Sequence, residues 1–234
     1  MSQNVAIVLA AGRGSRMSSD IPKQYMTVNG RPVLFYSLDI FEKNKNIDSI
    51  VLVAPANDIE YCWNEIVKKY NFTKVTAVIP GGSERYLSVY NALQIIADNG
   101  YVFIHDAARP CITGHIIDKL YEDVKEHKAV VAAVPAKDTI KIAENGYVKF
   151  TPQRENVWII QTPQAFETAG IKRAYEQMML QNDNTVTDDA MVMERYGNEK
   201  IYLSQASYSN IKITTDEDIT LVENFLKKVL TSEL

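Results

Sequence analysis

Two cysteines, Cys62 and Cys111, stand far apart in the chain. That is too few for a disulfide framework or a cysteine-built zinc site, and it points to reduced, buried thiols in a cytoplasmic protein. Positive charge is also scarce: 25 Lys and Arg against 29 Asp and Glu leave a net charge of −4. Such a balance excludes the basic footprint of a non-specific nucleic-acid binder. No apolar run approaches the roughly 20 residues a membrane span needs. The opening MSQNVAIVLAAGRG has neither a basic region nor a cleavage site, so it reads as a first strand and not as a signal peptide. Internal repeats, low-complexity tracts and domain linkers are missing too. What is left is a globular composition, 46% hydrophobic and 23% charged over 234 residues, read as one domain spanning 1–234.

Short apolar runs alternate with helical patterns. The runs VAIVLA (5–10), SIVLVA (49–54), KVTAVI (74–79), YVFIHD (101–106) and AVVAAV (129–134) are apolar or β-branched on both faces, as strands covered on both sides are. Between them lie helical stripes: 33–41; Ile59, Trp63, Ile66, Val67 and Tyr70; Val89, Ala92, Leu93 and Ile96; Ile116, Ile117, Leu120 and Val124. The alternation predicts an α/β fold, a Rossmann-like open and mostly parallel sheet with right-handed crossovers. From Pro135 the pattern changes. TIKIAENGYVKFTP reads as a β-hairpin turning at Asn145-Gly146, with Ile140, Ile142, Tyr147, Val148 and Phe150 needing something to pack on, either this domain or a second subunit. Residues 136–160 are therefore expected to form a protruding arm. Near the C-terminus, Thr215 to Asp218 read as a capping box with Asp218 in the usual Glu position, followed by a helix with Ile219, Val222, Phe225 and Val229 on one side.

The stretch VLAAGRGSRM (8–17) raises the functional question. A dinucleotide fingerprint needs a third glycine where Met17 stands, and a P-loop needs a Gly-Lys-Ser/Thr triplet that is absent here. Both fail. What remains is a strand ending in Ala10-Ala11-Gly12, a turn through Gly14, then Arg13, Arg16 and Lys23. Turn amides can form an anion nest, and glycine permits positive φ and lets a phosphate approach the main chain. Cations gathered this closely repel unless an anion intervenes, so a triphosphate suits the turn better than a neutral ligand; a plain loop with solvated arginines is the alternative. Four more polar clusters sit where strands end, the place an α/β sheet puts its ligand: GGSER (81–85, Ser83 as N-cap), HDAARP (105–110), KDT (137–139) and NIKIT (210–214).

Together AAGRGSRM…PKQY, GGSER…S, HDAARP, VPAKDTIK, R…VWIIQTPQAF, TDDA and NIKITTDEDI resemble the 2-C-methyl-D-erythritol 4-phosphate cytidylyltransferase family, in order along almost the whole chain. The related ribitol-5-phosphate cytidylyltransferases share PKQ, QTPQ and KITT. They tend to carry Ser-Val where Ala107-Ala108 stand and lack the TDDA form at 187–190, so the resemblance favours the methylerythritol acceptor. It implies CMP transfer from CTP to the polyol phosphate in non-mevalonate isoprenoid synthesis, with Mg²⁺ as cofactor. It implies that Arg16, Lys23, Arg154 and Lys212 carry catalysis. Ala10, Ala11, Gly12, Gly14, Gly81, Gly82, Ser83 and Ser88 would hold CTP, largely through main-chain groups, with Asp106 near the ribose and the metal. Arg109, Thr139, Arg154 and Thr187 would bind the acceptor. Thr139 and Arg154 lie on or after the arm, and the resemblance has them reach the neighbouring subunit's site, so a homodimer through the arm is implied. Ser209 stands where some relatives carry Asp, and Ser83 where some carry an acid.

An acceptor phosphate is already anionic at neutral pH, so its attack on the α-phosphorus of CTP needs cations and positioning more than a strong base. On that ground His105 reads as a hydrogen-bonding residue at a strand end, and His115 and His127 as surface helix positions. Trp158 and Phe166 read as core. Asp188 and Asp189 are either first-turn acids or ligand contacts, and Asp216, Glu217 and Asp218 are helix-start charges. Arg109 either touches ligand or ties its loop to a carboxylate. A CTP-binding module without turnover is the alternative of another class; retention of Arg16, Lys23, Asp106 and Lys212 together argues against it.

Overall fold

The computed structural model describes residues 3–12 and 21–232, with side chains as far as Lys227. Arg13, Gly14, Arg16 and Met17 lie outside the described residues, as does the side chain of Val229. In chain order the elements are β1 (Val5–Leu9), a small pair β2 (Thr27–Val28) and β3 (Arg31–Pro32), α1 (Val33–Lys43), β4 (Ser49–Ala54), α2 (Ile59–Tyr61), β5 (Val75–Pro80), α3 (Arg85–Gln94), β6 (Tyr101–Asp106), α4 (Gly114–His127), β7 (Ala129–Pro135), β8 (Ile142–Glu144), β9 (Tyr147–Phe150), β10 (Trp158–Glu167), α5 (Thr168–Leu180), α6 (Asp189–Tyr196), β11 (Tyr202–Gln205) and α7 (Glu217–Ser232).

Seven strands form one sheet in the order β11-β7-β10-β6-β1-β4-β5. β1 pairs in parallel with β4 and β6, β4 with β5, and β11 with β7, while β10 runs antiparallel between β6 and β7. This is the expected open, mostly parallel α/β sheet. The apolar runs become strands because both faces are covered. Ala6, Val8, Ile50 and Leu52 pack with the stripe of α4 and with Leu34, Leu38 and Phe41 of α1; Ile7, Val51, Val53 and Ile104 pack on the other side with α3 and α5. Each such aliphatic side chain taken from water contributes about 1.5–3 kcal/mol.

Several expectations need correction. β5 begins at Val75, not Lys74, and it lies at the sheet edge with most of its residues only partly covered, so it is not buried on both faces. The helix expected from Ile59 is α-wound only to Tyr61 and continues as a π-helix over Cys62–Lys68; Cys62, Ile66 and Val67 still face the core. Trp158, at the start of β10, is only partly covered, whereas Phe166 is fully buried. Ser83 is exposed and caps nothing: α3 starts after Glu84, with no side-chain cap. Both cysteines are unpaired and buried, and His115 is exposed, as expected. His127 is half-buried, its ring stacked on Tyr202 at 3.9 Å.

β8 and β9 form the expected hairpin, turning at Asn145 (φ 50°) and Gly146 (φ 84°), the positive pair a tight primed turn requires. Both its strands are exposed throughout, and Tyr147, Val148 and Phe150 are 80%, 59% and 53% exposed. The apolar residues of the hairpin do not pack on the body of their own chain. At α7 the Asp218 carboxylate accepts from the N–H groups of Thr214 and Thr215, at 2.8 and 2.9 Å, and from the Thr214 hydroxyl at 2.9 Å, so the aspartate serves in the capping role read for it. No described helix is long and apolar enough to cross a membrane.

Candidate active site

The carboxyl ends of β1, β5 and β6 open onto a cavity of about 500 Å³, within the range of small-molecule sites. Its walls come from segments distant in sequence: Ala10 to Gly12 after β1, Lys23 and Gln24, Gly82 to Arg85, Asp106 to Ala108, and Lys212. Strand pairing creates this meeting point. The Ala10 N–H donates to Val53 O at 2.7 Å, Gly81 N–H to Ala54 O at 2.9 Å and Ala107 N–H to Leu9 O at 3.0 Å, which carries the ladder past the strand ends. A Cβ on Gly81 would lie 2.4 Å from that of Ala11, so glycine is what lets the two loops touch. Gly12 has no positive φ, and among the described residues nothing lies within 4 Å of where its Cβ would stand, which leaves its main chain open to a ligand.

Ser88 accepts from the Gly82 N–H at 3.1 Å and donates to Glu84 O at 3.2 Å, holding the GGSER loop on the start of α3. Lys23 sits in a 3₁₀ turn, and its Nζ donates to Ile213 O at 3.3 Å. Asp106 ends β6 with its Oδ1 accepting from Arg85 Nε at 3.1 Å and its Oδ2 from Lys212 Nζ at 2.7 Å. Burial alone would raise its pKa, but Arg85 and Lys212 reverse this and hold the carboxyl well below the usual range. Arg85 in turn grips Asp189 with both terminal nitrogens, at 3.0 and 2.8 Å. Asp189 is a first-turn acid of α6, as one of its two readings had it, and its fully buried carboxylate is the counter-ion of Arg85. Asp188 is the N-cap of α6, accepting from the Met191 N–H at 2.9 Å.

His105 is buried in the strand. Its Nε2 faces the Arg109 carbonyl at 3.3 Å, which can only accept, so Nε2 carries the proton. Nδ1 then accepts from the Thr162 hydroxyl at 3.1 Å, whose oxygen accepts from the Asp106 N–H at 3.0 Å. Burial pushes the imidazole pKa down to about 3, so the ring is neutral and orients its neighbours, as its reading as a bonding residue requires.

Of the residues singled out in sequence, Ala10, Ala11, Gly12, Lys23, Gly82, Ser83, Ser88, Asp106 and Lys212 line the cavity, and Gly81 packs behind it. Gly14 and Arg16 fall outside the described residues. Arg109 is largely buried, its Nη1 donating to Asn210 O at 2.9 Å, so it ties its loop to a carbonyl instead of a carboxylate. Thr187 lies on a smaller neighbouring cavity of about 210 Å³ that shares Glu84 and Arg85 with the first. Thr139 and Arg154 line neither; they meet each other on the exposed surface near the arm, at 3.4 Å. Ser209 bonds to Ser207 at 2.7 Å. The sequence reading gave Arg85 no role of its own and did not pair it with Asp189. The available signal was an arginine and an acid inside two motifs already marked as special.

The sequence model of 2-C-methyl-D-erythritol 4-phosphate cytidylyltransferase matches residues 4–228. The chain belongs to this family. A family member from Lachnospira eligens is 53% identical over 226 residues, covering 96% of this chain and 99% of the relative. One from Clostridium botulinum strain 657 is 46% identical over 231 residues, covering 98% and 100%. Among solved structures, the 4-diphosphocytidyl-2C-methyl-D-erythritol synthase of Anaerococcus prevotii superposes with a TM-score of 0.84 at 35% identity, covering 97% of this chain and 99% of that one. The Francisella tularensis cytidylyltransferase gives 0.80 at 35% identity, covering 96% and 100%. The mostly parallel sheet is thus the family's fold, and the enzyme class is cytidylyltransferase.

Proposed function

We infer that the protein transfers CMP from CTP to 2-C-methyl-D-erythritol 4-phosphate, releasing pyrophosphate. The observation that carries this beyond family membership is the meeting of Lys23, Lys212 and Asp106 at one cavity beyond the strand ends. In the reaction an acceptor phosphate oxygen bonds to the α-phosphorus as the bond to the β-phosphate bridging oxygen breaks, and pyrophosphate leaves in line. No proton has to be removed from the attacking group. The obstacle is the approach of two polyanions: one pair of unit charges at 4 Å repels by about 4 kcal/mol at an effective dielectric near 20.

Lys23 and Lys212 counter that repulsion on the nucleotide side, together with Arg16 of the glycine turn. The N–H groups of Ala10, Gly81 and Gly82 are already used within the fold. The base is therefore read through Ala11, Gly12 and Ser83, with the small Ala10 side chain giving it room, Gly81 letting the loop close on Ala11 and Ser88 holding the loop. Among the described residues no three His, Cys, Asp or Glu form a metal-ligand cluster. The donor set suits Mg²⁺, which is commonly held by one or two carboxylates plus substrate phosphates. Asp106 would hold it, and the ion would neutralise charge on the phosphates. Thr187, on the smaller cavity, serves the acceptor side, while Arg109 lines neither cavity and holds its loop on the Asn210 carbonyl. Because Thr139 and Arg154 line neither cavity of their own chain, they serve the site of a second copy. The apolar hairpin residues supply the contact, making the working unit a homodimer.

The test is pyrophosphate release from CTP by purified protein, with methylerythritol 4-phosphate against ribitol 5-phosphate, each with and without Mg²⁺. Release with the first acceptor, dependent on the metal, is expected. Release with ribitol 5-phosphate alone overturns the acceptor assignment, and release with neither overturns the function.

A further inference from the structure

Two charged groups that the mechanism leaves aside extend in line from Asp106: Arg85, which touches it, and Asp189 behind Arg85. Asp189 opens α6 with no exposed side-chain surface. Its carboxylate takes the Arg85 fork at 3.0 and 2.8 Å and the Tyr175 hydroxyl at 2.6 Å. The remaining edge of the guanidinium donates from Nε to Asp106 Oδ1 at 3.1 Å. The other oxygen, Oδ2, takes Lys212 Nζ at 2.7 Å, from a side chain 35% exposed at the cavity.

The two oxygens of Asp106 thus have unlike partners. A guanidinium is a planar fork fixed in direction, and this one is held from behind by a buried carboxylate. An ammonium is a mobile point charge on a flexible stem. Moving Arg85 would strand Asp189 unpaired in the interior, a heavy penalty, whereas Lys212 can swing from one oxyanion to another in contact with solvent. Asp189 also neutralises Arg85, so this guanidinium does not compete for phosphate as the other cations do.

We infer that Arg85, locked by Asp189, is a positioning residue that fixes Oδ1 of Asp106 and leaves Oδ2 as the exchangeable oxygen, from which Lys212 passes to the nucleotide. The clamp also joins the two cavities. Arg85 is a wall of both, and Asp189 follows directly on Asp188, the N-cap of α6, two residues after Thr187, so the acceptor-side loop and Asp106 share one anchor. This links the arginine of GGSER to the second aspartate of TDDA, and it rests on the proposed function.

The experiment compares wild type, Arg85→Lys, and the paired neutral variant Arg85→Gln with Asp189→Asn. It measures kcat and KM for CTP, the CTP Kd by calorimetry without acceptor, and the thermal midpoint. Loss of a group that orients a ligand-holding side chain typically costs about 10–100-fold. The paired variant should lose kcat by that factor with its CTP Kd changed less than about threefold, and Arg85→Lys should recover part of kcat by keeping the charge. A kcat within about twofold of wild type in both variants overturns the inference. So does a rise in CTP Kd of about tenfold or more with kcat kept, which would make Arg85 a ligand contact. If the paired variant does not fold, Arg85→Lys alone decides by the same split. Wild type without turnover overturns the proposed function and this inference with it; active wild type with unaffected variants overturns the inference alone.

Discussion

Lys23 is half-buried at the cavity, and its ammonium reaches a loop carbonyl, Ile213 O, with no part in the core. Removing it should cost the fold little, about 0.5–1.5 kcal/mol for the lost hydrogen bond. Turnover should suffer far more, because a charge aimed at the transition state is lost: Lys23→Ala is expected to lower kcat by about 10²–10³. Pyrophosphate release set beside a thermal melt checks both halves, and an unchanged kcat contradicts the assignment. His105 makes a different kind of prediction. Its pKa falls from 6.5 to about 3 on folding, so below pH 6.5 the unfolded chain binds a proton that the native chain refuses. Stability therefore declines as pH drops from 6.5 toward 3, by up to about 1.4 kcal/mol per unit. Asp106, held below the usual carboxylate range, contributes only at the bottom of that window. Urea unfolding from pH 6.5 to 4 should show a shallower slope for His105→Asn than for wild type, and equal slopes would refute the cause. At this scale Asp106 could be read in sequence because it closes a strand, and Lys23 and Lys212 because they sit in polar motifs that the family resemblance singles out. Arg85 and Asp189 could not be paired: each resembles a solvated charge at a helix start, and only the fold brings together residues 104 apart.

Elements that were legible owed it to uniform burial. β1, β4, β6 and β7 are apolar on both faces, and nothing local contradicts the pattern. β10 carries no such signal. It buries Gln161, Thr162 and Gln164, has Pro163 within the register shift between Ile160 and Gln164, and runs against its neighbours. Its polar side chains are tolerated because each is satisfied from a distant segment. Gln161 donates to Ser207 O at 3.0 Å and accepts from Asn210 at 3.0 Å. Gln164 donates to Asp188 at 2.9 Å and accepts from the Ala190 N–H at 2.8 Å. β2, β3 and β11 are too short for periodicity to show. Gln164 thus fastens the start of α6 to the sheet. Gln164→Leu keeps the size but not the polarity of the side chain and leaves the buried Ala190 N–H without its partner, which should cost about 1–3 kcal/mol. For a chain of this length that lowers the thermal midpoint by about 2–4 °C per kcal/mol. A midpoint equal to wild type would mean that the glutamine is not what ties α6 down.

For the molecule as a whole, the hairpin sets the question. β8 and β9 expose Ile142, Tyr147, Val148 and Phe150 together, and a two-stranded ribbon is marginal in water unless something covers it. Arg154 and Thr139 meet near this ribbon and line neither cavity of their own chain, whereas Lys23 lines the large one. If a second copy covers the ribbon, each active site takes its nucleotide-side cations from one chain and Arg154 from the other. Lys23→Ala and Arg154→Ala chains, each inactive alone, then complement. In a mixed dimer both lesions fall on the same site, and the other site is intact. With random exchange half the dimers are mixed and each carries one working site of two, so an equimolar mixture should recover roughly a quarter of wild-type activity. Sedimentation of the wild-type chain should show a dimer at the same concentration. Were Arg154 to act within its own chain, every site would keep one lesion at any mixing ratio, and activity would stay at the level of the separate variants.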